Sequence, residues 1–407
     1  MTDAVLPSVH GQPPAATRLT SVDALRGLVM VIMALDHVRD FAHAGAMTFN
    51  PLDLTRTTPI LFFTRWVTHV CAPAFMLLAG VGASLLLQRD GSRARVSRFL
   101  WTRGLWLIVL ELTVMRLAMN FTFSTQYPVI VLVLCALGLS MIALSALIYL
   151  PVRAIAAVSA GVILLHNLLD GVQASQLGAW AGVWRLLHQQ GVVLIGGMPF
   201  IIAYPILPWI GIMAAGFCLG YAWTLDPQPR RRALVSAGAA MMALFAIVRL
   251  INVYGDPAPW SPQPSAAFTA LSLLNTTKYP PSLQFILMTL GPALLALAYF
   301  DARGLRPGNP LVVIGRVPLF YYVVHFWLIH LVTATMAWAR YGAVSFGFLF
   351  MPYPSMGGSS KLFPPDFGYP LWVIYVVWVG VVLAMYPLCR WFDRVKARRR
   401  MWWTSYL

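Results

Sequence analysis

Charge is scarce in this sequence. Asp, Glu, Lys and Arg make up 10% of its 407 residues, where a soluble domain carries roughly 25%. A core can hide surplus apolar residues but cannot supply a missing charged surface, so a water-soluble globular domain is excluded. Acidic residues are scarcer still, 13 against 29 Lys and Arg. In a soluble chain a net charge of +16 would suggest nucleic acid, but no zinc-finger spacing, RNA-binding signature or basic amphipathic helix accompanies it. The positive charge is almost all arginine, with Lys278 and Lys396 among the few lysines, and it falls between apolar runs. That is a pattern of membrane topology, not of nucleic-acid recognition. Cysteine is sparse as well. Cys71, Cys135, Cys218 and Cys389 lie singly inside apolar runs, which argues against a disulfide framework or a metal site and leaves buried filler as their expected role. Residues 1–17 are polar and contain Pro, without a hydrophobic stretch. No cleavable signal peptide is expected, and the first membrane helix is expected to act as its own insertion signal.

What is abundant is hydrophobic residues, 59% of the chain. Apolar runs of roughly 17–25 residues occupy 20–42, 60–87, 99–119, 128–149, 151–169, 199–224, 233–253, 282–300, 310–337 and 369–392. The expected fold is all-α, a polytopic integral membrane helix bundle of about ten transmembrane helices. The fourth and fifth runs meet at Pro151, where a miscount is possible. With N- and C-termini cytoplasmic, Arg89–Arg98, Arg153, Arg230–Arg232, Arg303–Arg306 and Arg394–Arg400 fall inside. The outer segments 43–59, 120–127, 170–198, 254–281 and 338–368 are nearly free of Lys and Arg, as the positive-inside rule requires. Their Pro, Gly, Trp and Tyr suit ordered caps at the interface. The chain divides into a cytoplasmic tail 1–19, a membrane domain 20–393 and a basic cytoplasmic tail 394–407.

Charged and histidine residues inside spans are expensive, so each is a candidate for function. The first run holds Asp23, Arg26, Asp36, His37, Arg39 and Asp40. Eleven positions separate Arg26 from His37, which puts both on one helix face about 16 Å apart, with Asp40 one turn further. More ordinary roles are also open. Thr20 or Ser21 is the expected N-cap, Asp23 suits the helix dipole, Arg26 can snorkel, and residues 36–40 can form a solvated outer cluster. A neutral imidazole at His37 can act as a base near pH 7. In the second run Arg65 and His69 are spaced i, i+4, and Ala79, Gly80, Gly82 and Ala83 permit close helix packing. His69 suits either a hydrogen bond to a neighbouring helix or a site role. The ninth run carries Gly315-Arg316, Tyr321-Tyr322, His325 and His330. The two histidines lie on different faces, with His325 expected in the cavity and His330 at the interface. Sorted by depth, Arg26, Arg98, Arg103 and Arg316 form an inner layer with no matching carboxylate but Asp23, suited to a phosphate-bearing ligand. His37, Asp40, His69 and His325 lie above it and suit proton transfer. Glu111 is expected to pair with an arginine or histidine across the bundle.

The stretch from Ser21-Val-Asp23-Ala-Leu-Arg26-Gly to Asp36-His37 resembles the first helix of a superfamily of transmembrane acyltransferases, in particular the bacterial branch of heparan-alpha-glucosaminide N-acetyltransferase-like proteins. Thr64-Arg65 through His69 to Pro73 and Gly80 resembles that branch's second helix, and Gly315-Arg316 through Tyr322 and His325 its late helix. The Arg26–His37 pair, with Arg98 and Arg103, is also similar to more distant membrane O-acyltransferases. The resemblance implies acyl transfer, with acetyl-CoA or another acyl-CoA as donor, no metal, and a sugar, glycan or amine acceptor. In the lysosomal branch a histidine stands in the stretch before the second helix; here Phe49 to Phe63 has none, which moves the catalytic role to His37 and His69.

The expected function is therefore transfer of an acyl group, most simply acetyl, from cytoplasmic acyl-CoA to a hydroxyl or amine at the outer face of a bacterial inner membrane. The expected catalytic residues are His37, Asp40, Asp36 and His69. Arg65, His325 and Tyr322 would hold acceptor, and Arg26, Arg98, Arg103 and Arg316 the CoA phosphates. Partners are the lipid bilayer and the two substrates, with no nucleic acid; an oligomer is possible. A proton-coupled transporter or flippase is the alternative, since Pro-interrupted stretches such as Pro199 to Pro208 also occur in transporters. A non-catalytic scaffold is a third reading.

Overall fold

The structure is a computed structural model that describes residues 19–124, 127–356 and 358–398. Most of the two tails, 1–18 and 399–407, lies outside the described residues. Ten long helical rods are found among the described residues. They are α1 Thr20–Ala42, α2 Pro59–Asp90, α3 93–120, α4 Val133–Leu147 and α5 Val152–Leu169. After these come α6 Leu207–Thr224, α7 Pro227–Ile251, α8 Leu283–Arg303, α9 Pro318–Tyr341 and α10 Leu371–Arg398. Seven of these, α2 and α5 to α10, are long and apolar enough to cross a membrane.

α1 is too charged to join those seven, yet it runs through the centre. It packs against the short helix Pro310–Gly315 and against α8, α9, α10 and α2. In contrast, only 17% of the most apolar stretch of α7 or α10 is buried, against 78% for α8, so α7 and α10 form the rim. Close approach at the centre depends on glycine. A Cβ on Gly27 would strike the Leu311 carbonyl, and one on Gly315 the Asp23 carbonyl. Gly80 and Gly216 join α2 to α6 in the same way, whereas Gly82 faces open space. Small residues let backbones touch where lipid gives no hydrophobic drive for association.

Several local expectations change. Leu19, not Thr20 or Ser21, is the N-cap of α1, and no side chain caps it. Residues 310–337 are not one rod: Arg316 and Val317 separate Pro310–Gly315 from α9. The runs at 128 and 199 do not begin as helices. Strands β1 Val129–Val131, β2 Gly191–Ile195 and β3 Met198–Ile202 form a sheet in the order β1-β3-β2. β2 and β3 make a hairpin whose turn, Gly196-Gly197, has positive φ at both residues, the requirement of a tight hairpin turn. Pro199 therefore belongs to a strand, and Pro208 stands in the first turn of α6. The stretch is not a broken span of the transporter kind.

Glu111 has neither an arginine nor a histidine as its hydrogen-bond partner. It opens a π-helical turn, Glu111–Met115, and accepts backbone N–H bonds from Leu132 at 3.0 Å, Leu134 at 3.3 Å and Cys135 at 2.7 Å. The first N–H groups of a helix have no partner within it, so this carboxylate caps α4 from a neighbouring rod and meets its positive dipole end.

The segment between α7 and α8 is stapled rather than loose. Arg249 donates to the carbonyls of Ala258, Ser272, Leu273 and Asn275 and to Gln284 Oε1. Asp256 accepts from Thr277 N, Thr277 Oγ1 and Ser282 Oγ at 2.6–2.8 Å. The connection between α9 and α10 is ordered too, with Phe348, Tyr353, Phe363 and Phe367 buried against one another.

Replacing Glu111 with Ala strips three N–H groups of their acceptor and is expected to destabilise the protein by on the order of 3 kcal/mol. Glu111→Gln, which keeps an acceptor oxygen, should lose less. Thermal unfolding of the purified protein in detergent measures both, and an unaltered melting temperature for Glu111→Ala would refute the cap.

Candidate active site

A cavity of about 640 Å³ opens at the end of the bundle where α1 finishes. Its walls come from the last turns of α1, the first half of α2, β1 and β3, the stapled segment before α8, the first half of α9, and the loops at 46–51 and 354–360. Its size is that of an ordinary small-molecule site.

α1 supplies the chemistry. Asp36 and Asp40 are spaced i, i+4 and so lie along one side of the helix; Arg39 bridges them, at 2.9 Å to Asp36 Oδ1 and 2.6 Å to Asp40 Oδ1. The second Asp36 oxygen receives the Arg65 guanidinium from α2. Arg65 also reaches Thr68 Oγ1 at 3.3 Å. The expected solvated cluster at 36–40 is thus a packed ion network, its two guanidinium groups and Asp36 each mostly buried. Neither Asp36 nor Asp40 hydrogen-bonds to His37.

His37 has a different partner. Its Nδ1 lies 2.7 Å from His325 Nε2, and His325 Nδ1 lies 2.8 Å from the Tyr321 carbonyl. A carbonyl only accepts, so His325 carries its proton on Nδ1 and presents a lone pair at Nε2. His37 must then donate from Nδ1. With both rings neutral, the lone pair of His37 falls on Nε2, an atom without a hydrogen-bond partner among the described residues, on a ring that lines the cavity. Phe326, 4.1 Å from the His37 ring centre, holds the imidazole from the side. This is the tautomer a general base needs.

The other expected residues fall into two groups. Arg65 and Tyr322 line the cavity with His37, Asp36 and Asp40. His325 is fully buried behind His37. His69 is buried beside Phe285 with both ring nitrogens unpartnered among the described residues, and it does not face the cavity. His330 is buried, not interfacial: its Nδ1 donates to the Ala118 carbonyl at 2.7 Å and its ring stacks on Phe121. The inner arginines stand apart. Arg26 bonds Asp23 and the Gly315 carbonyl, both at 3.2 Å. Arg316 lies 3.2 Å from Asp393 and 3.8 Å from Asp23. Arg98 is exposed and Arg103 sits over the Phe99 ring. None of the four lines the cavity. The four arginines therefore have a carboxylate beside them in addition to Asp23, because Asp393 pairs with Arg316. Val29, Met30 and Met33 are buried between the levels of Arg26 and His37, and Met33 lines the cavity.

The lining includes Tyr204, Lys278 and Tyr279, which were not anticipated as site residues, and Arg39, a candidate by its charge to which no role was given. The hydroxyls of the two tyrosines lie 3.2 Å apart. Cys71, expected as filler, also lines the cavity, its Sγ 3.5 Å from the Val29 carbonyl. His43 follows the last turn of α1, and burial, with the Arg39 charge adding to it, pushes its imidazole down to about 4. Among the described residues no group of three or more His, Cys, Asp or Glu is placed to hold a metal ion.

The sequence profile of the family described as heparan-alpha-glucosaminide N-acetyltransferase, catalytic, matches residues 18–252, more than half of the chain. The chain belongs to this family. It is therefore a multi-pass membrane protein of acetyltransferase type. No curated protein matches it. The family match contains His37, the ion network and Tyr204, while Lys278, Tyr322 and His325 lie beyond it.

Asp36→Asn leaves Arg39 and Arg65 facing a neutral amide and is expected to cost about 3–5 kcal/mol, the usual loss when one member of a buried pair is removed. Combining it with Arg65→Gln should cost less than the sum of the single changes. Unfolding of the three variants in detergent tests this, and strict additivity would show that the pair is not coupled.

Proposed function

We propose that the cavity is an acyl-transfer site and that His37 is its general base. The observation that carries this reading is the chain of hydrogen bonds from the Tyr321 carbonyl through His325 to His37, which leaves the His37 lone pair on Nε2. In this reading a hydroxyl or amine of the acceptor lies against Nε2. As its oxygen or nitrogen bonds to the thioester carbonyl carbon, His37 takes its proton. The carbon–sulfur bond then breaks, and the departing thiolate recovers that proton from His37. Arg65 and Tyr322 position the acceptor, and the positive lining favours the oxyanion that develops at the carbonyl. Asp36 and Asp40 act by fixing Arg39 and Arg65. His69 supports the wall behind the site.

The family's description names a glucosaminide, which supports an amino-sugar acceptor. The donor in this proposal is acetyl-CoA or another acyl-CoA. All ten rods cross the membrane in this reading, with both termini cytoplasmic and the cavity at the outer face of a bacterial inner membrane. Arginine placement supports that orientation. The donor's phosphates would be held at the opposite end by Arg26, Arg98, Arg103 and Arg316. There they compete with Asp23 and Asp393 for Arg26 and Arg316, and the layer of Val29, Met30 and Met33 must part for the acyl arm to reach His37.

Purified protein should consume acetyl-CoA in the presence of an amino sugar, which a transporter has no reason to do. His37→Ala should lower turnover by roughly 10²–10⁴-fold with melting temperature retained; wild-type turnover in that variant refutes the assignment. His325→Ala should lower kcat with little change in KM. His325→Gln, whose carbonyl oxygen accepts the same proton from His37, should recover part of that loss. Equal activity in both His325 variants would remove His325 from its positioning role.

A further inference from the structure

The charges lining the cavity do not balance. Arg39, Arg65 and Lys278 face Asp36 and Asp40. Arg39 and Arg65 share Asp36, and Arg39 also holds Asp40. Lys278 is 9% exposed, and it forms no ion pair with any described carboxylate. Its neighbour is Tyr279, whose ring centre lies 5.0 Å from Nζ and whose hydroxyl is within its reach, while Asp36 and Asp40 act on it only at longer range. A buried ammonium without a counter-charge is costly, and this one is not there through looseness of the backbone. Lys278 follows Thr277, which Asp256 grips through both its N–H and its hydroxyl. The same segment is clamped to α7 by Arg249. The fold therefore holds a cation at the wall that His37 shares.

We propose that Lys278 is the counter-ion for an anionic group, a phosphate, sulfate or carboxylate, on a molecule that occupies this cavity. Tyr279 and Tyr204 share the lining with it; Tyr279 Oη donates to Tyr204 Oη at 3.2 Å, which leaves the Tyr204 hydroxyl able to donate to such a group. The proposal rests on the acyl-transfer reading for its setting and specifies the substrate: an acceptor that carries a negative charge beside its reacting amine or hydroxyl. The donor's own phosphates have the same chemistry, so the two sources must be separated by experiment.

Full-length protein in detergent or lipid nanodiscs would be given acetyl-CoA with glucosamine or glucosamine 6-phosphate, in wild type, Lys278→Gln and Lys278→Arg. If the anion belongs to the acceptor, wild type favours the phosphorylated sugar in kcat/KM by about 10–100-fold. Lys278→Gln brings the two sugars to within about twofold, and Lys278→Arg keeps most of the preference. If the anion belongs to the donor, Lys278→Gln raises KM for acetyl-CoA but not for acetyl-pantetheine, which lacks the phosphates. A binding arm needs no turnover: glucosamine 6-phosphate and inorganic pyrophosphate are tested for thermal stabilisation against glucosamine. Stabilisation by either anion that disappears in Lys278→Gln, whose ligand-free melting matches wild type, supports the site even if no thioester is cleaved; in that event the acyl-transfer reading alone falls. If Lys278→Gln does not fold, loss of anion stabilisation is replaced by its retention in Lys278→Arg as the supporting result. The proposal is overturned if neither anion stabilises wild type and it does not prefer the charged sugar. Lys278→Gln showing wild-type preference, donor KM and anion stabilisation overturns it equally.

Discussion

An ion in the middle of a helix bundle that has lipid for solvent must have its opposite beside it, and α1 is organised around that constraint. Five charged residues would make this helix unfit to lie against lipid. It lies instead at the centre, and each end carries a compact network: Asp23 with Arg26 and Arg316 at its beginning, Asp36 with Arg39 and Arg65 near its close. Neighbouring helices must approach closely enough to supply those partners, which is what the glycine contact between Gly27 and Gly315 permits. Charge on one helix thus dictates how three others are placed.

Beside the second network the histidine pair is held by neutral contacts. The backbone carbonyl of Tyr321 fixes the proton on His325, and His325 fixes the proton on His37. A carboxylate in that position would stabilise an imidazolium and retain its proton. A second neutral imidazole orients the ring without adding a negative charge, and the nearby carboxylates are held by guanidinium groups. The division between an orienting relay and an ion network leaves one ring nitrogen, Nε2, without a hydrogen-bond partner among the described residues, in a wall where cationic side chains outnumber carboxylates.

Much of this arrangement could be read from sequence, and the parts that could not have identifiable reasons. Length and hydropathy located the rods, because a bilayer demands long apolar helices. Helical periodicity put Arg26, His37 and Asp40 on one face of α1, since the spacing along a rod is fixed. It could not say that Asp36 would be consumed by two arginines, because one of them arrives from another helix. Nor could it place Lys278, which reaches the cavity by way of a stapled connection held by hydrogen bonds to backbone atoms. Glu111 was noticed for its cost, but its partners are main-chain N–H groups, which no side-chain pattern reveals. The hairpin left a local sign in Gly196-Gly197; its flanking apolar residues were absorbed into a longer apparent span.

The Arg249 clamp has a mechanical consequence. It fastens the connection bearing Lys278 to the end of α7, a peripheral rod with little of its apolar stretch covered by protein. Packing against neighbouring helices sets the tilt of such a rod, and α7 lies along α8. The wall of the pocket that carries Lys278 is consequently tied to the α7–α8 pair rather than to the central helix bearing His37, so the two halves of the lining are anchored to different parts of the bundle.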